Sequence, residues 1–179
     1  MAKGSETICV RFGRRLGLFK KKANVSYAKI HYITLISENH IKNTIAGNVN
    51  IGLLHLEIYA NFFGVKAYQM LDDDGSIPDR ATLQQNISNY IKESGFDSSD
   101  NFKKLGPSYL VEEYIQEFDE FSEPLEAGQI TTNLNKAKGT SYKTNNVSKV
   151  LKNLADEGVI TRIDTGNTKK PKYGKMKNQ

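Results

Sequence analysis

The chain has 179 residues, a net charge of +5, 38% hydrophobic and 25% charged residues, and a single cysteine, Cys9. This is the composition of a soluble globular protein. It excludes an internal disulfide, and the chain has no apolar run of about 18 residues to serve as a membrane helix.

The charge is segregated: residues 1–71 carry +7, residues 72–128 carry −10 and residues 129–179 carry +8. Basic ends attract nucleic acid or an anionic surface, and an acidic middle is repelled by both. The middle is therefore expected to dock onto the basic ends. The opening "MAKGSETICV" has no apolar core of the signal-peptide kind, so the expected location is the cytoplasm.

In "FGRRLGLFKKK", Phe12, Leu16 and Phe19 recur at i, i+4 and i+7, which predicts a helix. "VSYAKIHYIT" predicts a second, with Ser26 as N-cap. "ISENHIKNTIAG" predicts a third, capped by Ser37, with Ile41 and Ile45 inward and Gly47 as its stop. "IGLLHLEIYANFFG" predicts a fourth, with Leu53, Leu56, Tyr59, Ala60 and Phe63 on its apolar face and Gly64 at its end. "AYQML" predicts a short fifth.

Residues 11–72 resemble the Xre/Cro-like helix-turn-helix family. The matching positions are Phe12 to Leu16, the cap Ser26, then Ser37, Ile41 and Gly47, and finally Leu53, Leu56, Ala60, Gly64, Val65 and Leu71. The resemblance implies a five-helix domain whose third helix enters the DNA major groove. Carried over, the groove-facing residues are Ser37, Glu38, Asn39, His40, Lys42 and Asn43. Four positions depart from the family pattern: Tyr27 stands for its Gln, His31 for its small Ala, Leu35 for its turn Gly and Ile45 for its Glu. A leucine in that turn is sterically costly if φ > 0 is required there.

"DDDGSIPD" breaks the pattern and predicts a linker. The following helix carries Leu83, Ile87, Tyr90 and Ile91 on one face and ends near Gly95. Residues 73–106 are thus expected to form an acidic linker with one amphipathic helix, packed on neighbours or at a dimer interface.

"PSYLVEEYIQEFDEF" places Leu110, Tyr114, Ile115, Phe118 and Phe121 on one helical stripe. A second short helix holds Ile130 and Leu134. A third, near residues 144–157, begins at Thr144 as N-cap, turns Val147, Val150, Leu151 and Leu154 inward and closes at Gly158. Two β-type runs follow, around Val159 to Ile163 and around Tyr173, with Val159, Ile160, Ile163 and Tyr173 holding the hairpin down. Residues 107–175 resemble a winged helix-turn-helix domain, most specifically in "VSKVLKNLADEGVITRI". The fold class expected for the chain is mainly α: an N-terminal five-helix Xre/Cro-like unit (1–72), then a C-terminal winged helix of three helices and a β-hairpin (107–179).

With the apolar residues of the third C-terminal helix inward, Thr144, Asn145, Asn146, Ser148, Lys149 and Lys152 project outward. Asparagine can pair with adenine, and lysine with guanine or phosphate. Arg162, Lys169, Lys170 and Lys172 crowd the edge and tip of the hairpin, where they can straddle a backbone or enter a minor groove.

Three histidines without ligand spacing, no phosphate loop and no Cys-x-x-Cys give no enzyme signature. No cofactor or metal is expected, and no small-molecule effector can be inferred. The expected function is a dimeric, double-stranded DNA-binding transcriptional regulator with no membrane partner. Two alternatives stay open: a DNA-binding accessory protein of replication, partition or a mobile element, and a protein–protein adaptor whose helix-turn-helix folds no longer bind DNA.

Overall fold

The computed structural model describes residues 7–96, 106–117, 123–166 and 170–176. It is mainly helical, with eight α-helices among the described residues and one small antiparallel sheet. The chain divides into two compact units, Met1–Lys103 and Lys104–Gln179. No described helix is long and apolar enough to cross a membrane.

The first unit is built from α1 (Ile8–Ala23), α2 (Tyr27–Thr34), α3 (Glu38–Ile45), α4 (Leu53–Phe63), a 3-10 turn (Ala67–Met70) and α5 (Arg80–Glu93). Ser26 and Ser37 cap α2 and α3 by accepting from the Lys29 and His40 amides. Gly64 closes α4 with φ +63. Phe12, Leu16 and Phe19 lie in the core with Ile30, Ile41, Tyr59, Phe62 and Phe63. Gly13 lets α1 touch the end of α3: a Cβ there would lie 2.2 Å from the Thr44 carbonyl oxygen and 2.8 Å from that of Ile45.

Leu35 does adopt the left-handed conformation, at φ 62 and ψ 9. Such a conformation costs an L-residue about 1–2 kcal/mol. Local bonds offset it: His31 Nδ1 meets the Ile36 carbonyl at 2.9 Å, and the Ile36 amide donates to the Thr34 hydroxyl at 3.3 Å. The Leu35 side chain is left 80% exposed. Leu53, expected inward, is also 80% exposed, because it opens α4 ahead of the buried stripe that starts at Leu56.

The helix expected to stand in an acidic linker is α5, and it belongs to the first unit. It buries Leu83 and Ile87. Asn86 Nδ2 donates to the Phe63 carbonyl at 3.0 Å, satisfying the end of α4, and Gln84 donates to the Ala23 carbonyl at the end of α1. The preceding acidic segment docks on the basic helix α1, as the charge pattern suggested. Asp73 accepts from Arg11 Nε at 2.6 Å and pairs with Arg14 at 3.3 Å, while Lys22 Nζ donates to the Ile77 carbonyl. The Arg11 hydrogen bond, reinforced by Arg14, holds the Asp73 carboxyl below its ordinary range.

The second unit runs α6 (Pro107–Glu117), β1 (Leu125–Glu126), α7 (Ala127–Lys138), α8 (Thr144–Asp156), β2 (Ile160–Ile163) and β3 (Lys172–Lys175). The sheet order is β1-β3-β2, all antiparallel, with Arg162 opposite Tyr173 and Leu125 opposite Tyr173 on the other side. Val111, Tyr114 and Ile115 of α6, Ile130 and Leu134 of α7 and the underside of α8 enclose one core with Val159, Ile160 and Tyr173. Phe118 and Phe121, expected on the α6 stripe, lie outside the described residues. Strand β1 was not anticipated; two residues carry no periodicity, and only their pairing with β3 makes them a strand. Ile163 does not hold the hairpin. Side chains alternate along a strand, so with Ile160 inward, Ile163 faces outward and is 41% exposed.

Candidate nucleic-acid interface

Helix α8 has two chemically different faces. Val147, Val150, Leu151 and Leu154 are buried in the core. Asn145, Lys149 and Lys152 fall at i, i+4 and i+7 on the opposite side and are exposed, as are Thr144 and Asn146, while Ser148 is half-buried. Among the described residues, the side chains of Asn145, Asn146, Lys149 and Lys152 have no hydrogen bond or ion pair. The nearby acidic helix does not neutralise them: on α6, Glu113 and Glu117 are taken by Lys138 of α7, at 3.3 and 3.0 Å.

Thr144 is not the N-cap. Lys143 occupies that position in extended conformation and offers no side-chain cap, and Thr144 is the first helical residue. The reason is geometric: the chain leaves the extended conformation one residue earlier than a Thr144 cap requires. The first turn therefore presents backbone N–H groups without a capping side chain, and exposed Lys143 sits beside them. Uncapped N–H groups beside a cation favour an anion such as phosphate. Lys143 went unnoticed in sequence because it precedes the helical pattern.

The hairpin is less uniform than its composition. Arg162 is committed to Asp164, with Nε and the terminal nitrogen both 3.2 Å from Asp164 Oδ1. Lys172 is half-buried within the sheet, opposite Ile163 on one side and Glu126 on the other. Lys170 is exposed at the tip, where its carbonyl accepts from the Thr165 hydroxyl at 3.3 Å. Lys169 lies outside the described residues. Burial pushes the Tyr173 phenol above its ordinary pKa, consistent with its anchoring place under the hairpin.

On α3 of the first unit, most of the expected contact residues are engaged internally. Ser37 is used as the cap. Glu38 pairs with Lys42 at 3.3 Å, and the Lys42 ammonium also lies 5.1 Å from the Tyr27 ring centre. Lys20 approaches the same ring at 4.1 Å. His40 is half-buried with its ring 4.6 Å from that of His55, and its Nε2 is buried without a hydrogen bond among the described residues. Asn39 and Asn43 alone of the set are both exposed and free of such contacts among the described residues. The two helices thus differ: α8 offers a stripe of free donors, and α3 spends its donors on its own unit.

No protein-family model, curated protein or solved structure matches this chain.

Proposed function

We propose that this protein is a double-stranded DNA-binding regulator that reads the major groove with α8 of its second unit. The observation that carries this is the exposed stripe Asn145, Lys149 and Lys152, unpartnered among the described residues, over a fully buried underside. Solvation alone accounts for the lysines but does not require asparagine, a middling-to-poor helix former, at the start of this face. A groove floor of base edges and flanking phosphates uses both residue types, asparagine for adenine and lysine for guanine or phosphate.

The order helix, strand, helix, helix, strand, strand supports a winged-helix reading of this unit, with β2–β3 as the wing. Lys170 at the tip is then a phosphate contact, while Arg162, committed to Asp164, contributes less than its charge suggests. In the first unit, the internal commitments of α3 favour a packing role over base reading. Regulation would act by site occupancy: phosphate contacts give affinity, and base contacts select the site.

Selection of bound duplexes from a random DNA pool by the full chain tests this reading. Enrichment of one motif is expected, and an inverted repeat within it would report a homodimer on paired half-sites. No enrichment, at low salt as well as high, would reject it and favour a protein–protein adaptor.

A further inference from the structure

We infer that Asn135, on α7, is a positioning residue that sets where the first turn of α8 begins; this rests on the proposal that α8 reads DNA. Asn135 is half-buried near the end of α7. Its Nδ2 donates to the Tyr142 carbonyl at 3.0 Å, and its Oδ1 accepts from the Tyr142 amide at 2.9 Å. The same Oδ1 accepts from the Thr140 hydroxyl at 2.8 Å. Its backbone carbonyl accepts from the Thr140 amide at 3.1 Å and from the amide of Gly139, which caps α7 with φ +63.

A carboxamide carries the same donor and acceptor as a peptide group. Here it pairs with both polar groups of Tyr142, as a neighbouring strand would. The connection Gly139–Lys143 has no regular ladder of its own, so its backbone groups need such partners. The Tyr142 ring also packs against the core of the second unit. The next residue, Lys143, is the N-cap of α8. Asn135 therefore fixes Tyr142, Tyr142 fixes the cap, and the cap fixes the turn that carries Asn145 and Asn146. The buried underside of α8 sets its depth and rotation. Its leading turn has no side-chain cap, so this stitch governs its path.

The test compares the full chain with Asn135→Ala, Asn135→Asp and Thr140→Val. Each is titrated against the motif selected by the wild type and against a random-sequence duplex of equal length. For Asn135→Ala, preference for the selected duplex should fall about tenfold, roughly the discrimination carried by one base pair. Binding to the random duplex, which rests on phosphate contacts, should stay within about twofold. Asn135→Asp keeps the acceptor and should retain part of the preference; its added charge acts on both duplexes and cancels in the ratio. Thr140→Val removes one of the three side-chain bonds and should show a smaller loss in the same direction.

Hydrogen exchange of the free proteins separates this inference from the DNA proposal. In Asn135→Ala, the amide of Tyr142, which loses its acceptor, and those of Asn146 and Val147, which bond the Lys143 carbonyl, should exchange about tenfold faster, with Ile130 to Leu134 unchanged. If the wild type prefers no DNA sequence, the reading proposal fails and the exchange result alone decides the positioning claim. Unchanged exchange at Tyr142, Asn146 and Val147, or parallel loss of selected and random binding, would overturn it.

Discussion

Replacing Lys149 and Lys152 together by alanine removes two exposed cations that have no partner among the described residues. Folding stability should therefore move by no more than about 0.5 kcal/mol, as for surface sites generally. DNA binding should change in a defined way. Each lost phosphate contact flattens the slope of log affinity against log salt by about 0.9, so the pair removes about 1.8. Between about 50 and 200 mM salt, a fourfold range, wild-type affinity should then fall about twelvefold more than that of the double variant. Fluorescence anisotropy with the selected duplex over a salt series measures this directly. Lys149→Arg with Lys152→Arg keeps both charges and should keep the slope. An unchanged slope in the alanine variant, with the same selected motif, would remove α8 from the interface.

Asn145→Ala should leave the salt slope unchanged and relax the selected motif at one position, at a cost of about 1–3 kcal/mol there; an unaltered motif would contradict base contact by Asn145. Lys170→Ala at the hairpin tip should weaken binding to all duplexes alike, and a changed motif would instead make the tip a base reader. Gly13→Ala gains about 1 kcal/mol of helix propensity but drives a methyl group into the Thr44 and Ile45 carbonyls. Overpacking of this kind costs about 1–3 kcal/mol, and more where backbone must yield, so thermal denaturation of the first unit should come at lower temperature; an equal or higher midpoint would refute the close approach.

Tyr59 gives an alkaline signature. Burial pushes its phenol from 10.0 up to about 12, and the nearby Thr44 hydroxyl offsets only part of this. Between those values the unfolded chain releases the proton and the folded chain holds it, so stability falls as pH rises, by up to about 3 kcal/mol over the interval. Tyr59→Phe should flatten that part of the denaturation-versus-pH curve, and identical curves would refute the shift.

Local information reached far in this chain. The caps Ser26 and Ser37 and the stop Gly64 are single-residue signals acting within one turn, and each is found in that role. The buried stripes Phe12, Leu16, Phe19 and Val147, Val150, Leu151, Leu154 follow from the helical repeat alone. Because an inward stripe forces the opposite face outward, the exposure of Asn145, Lys149 and Lys152 was legible as well.

The sequence by itself therefore determined the helices, most of their core faces and the outward row on α8, since these depend on spacing within a few turns. Tertiary structure alone decided what long-range contacts decide. It assigned α5 to the first unit through Leu83, Ile87 and the bonds of Asn86. It made a strand of Leu125 and Glu126 by pairing them with residues far along the chain. It also separated cations of equal charge in the sequence, committing Arg11 and Arg14 to Asp73 and Arg162 to Asp164 while leaving Lys149 and Lys152 free among the described residues. A partner's distance in space has no local periodicity to announce it, and that distance is what separates a structural charge from one available to a ligand.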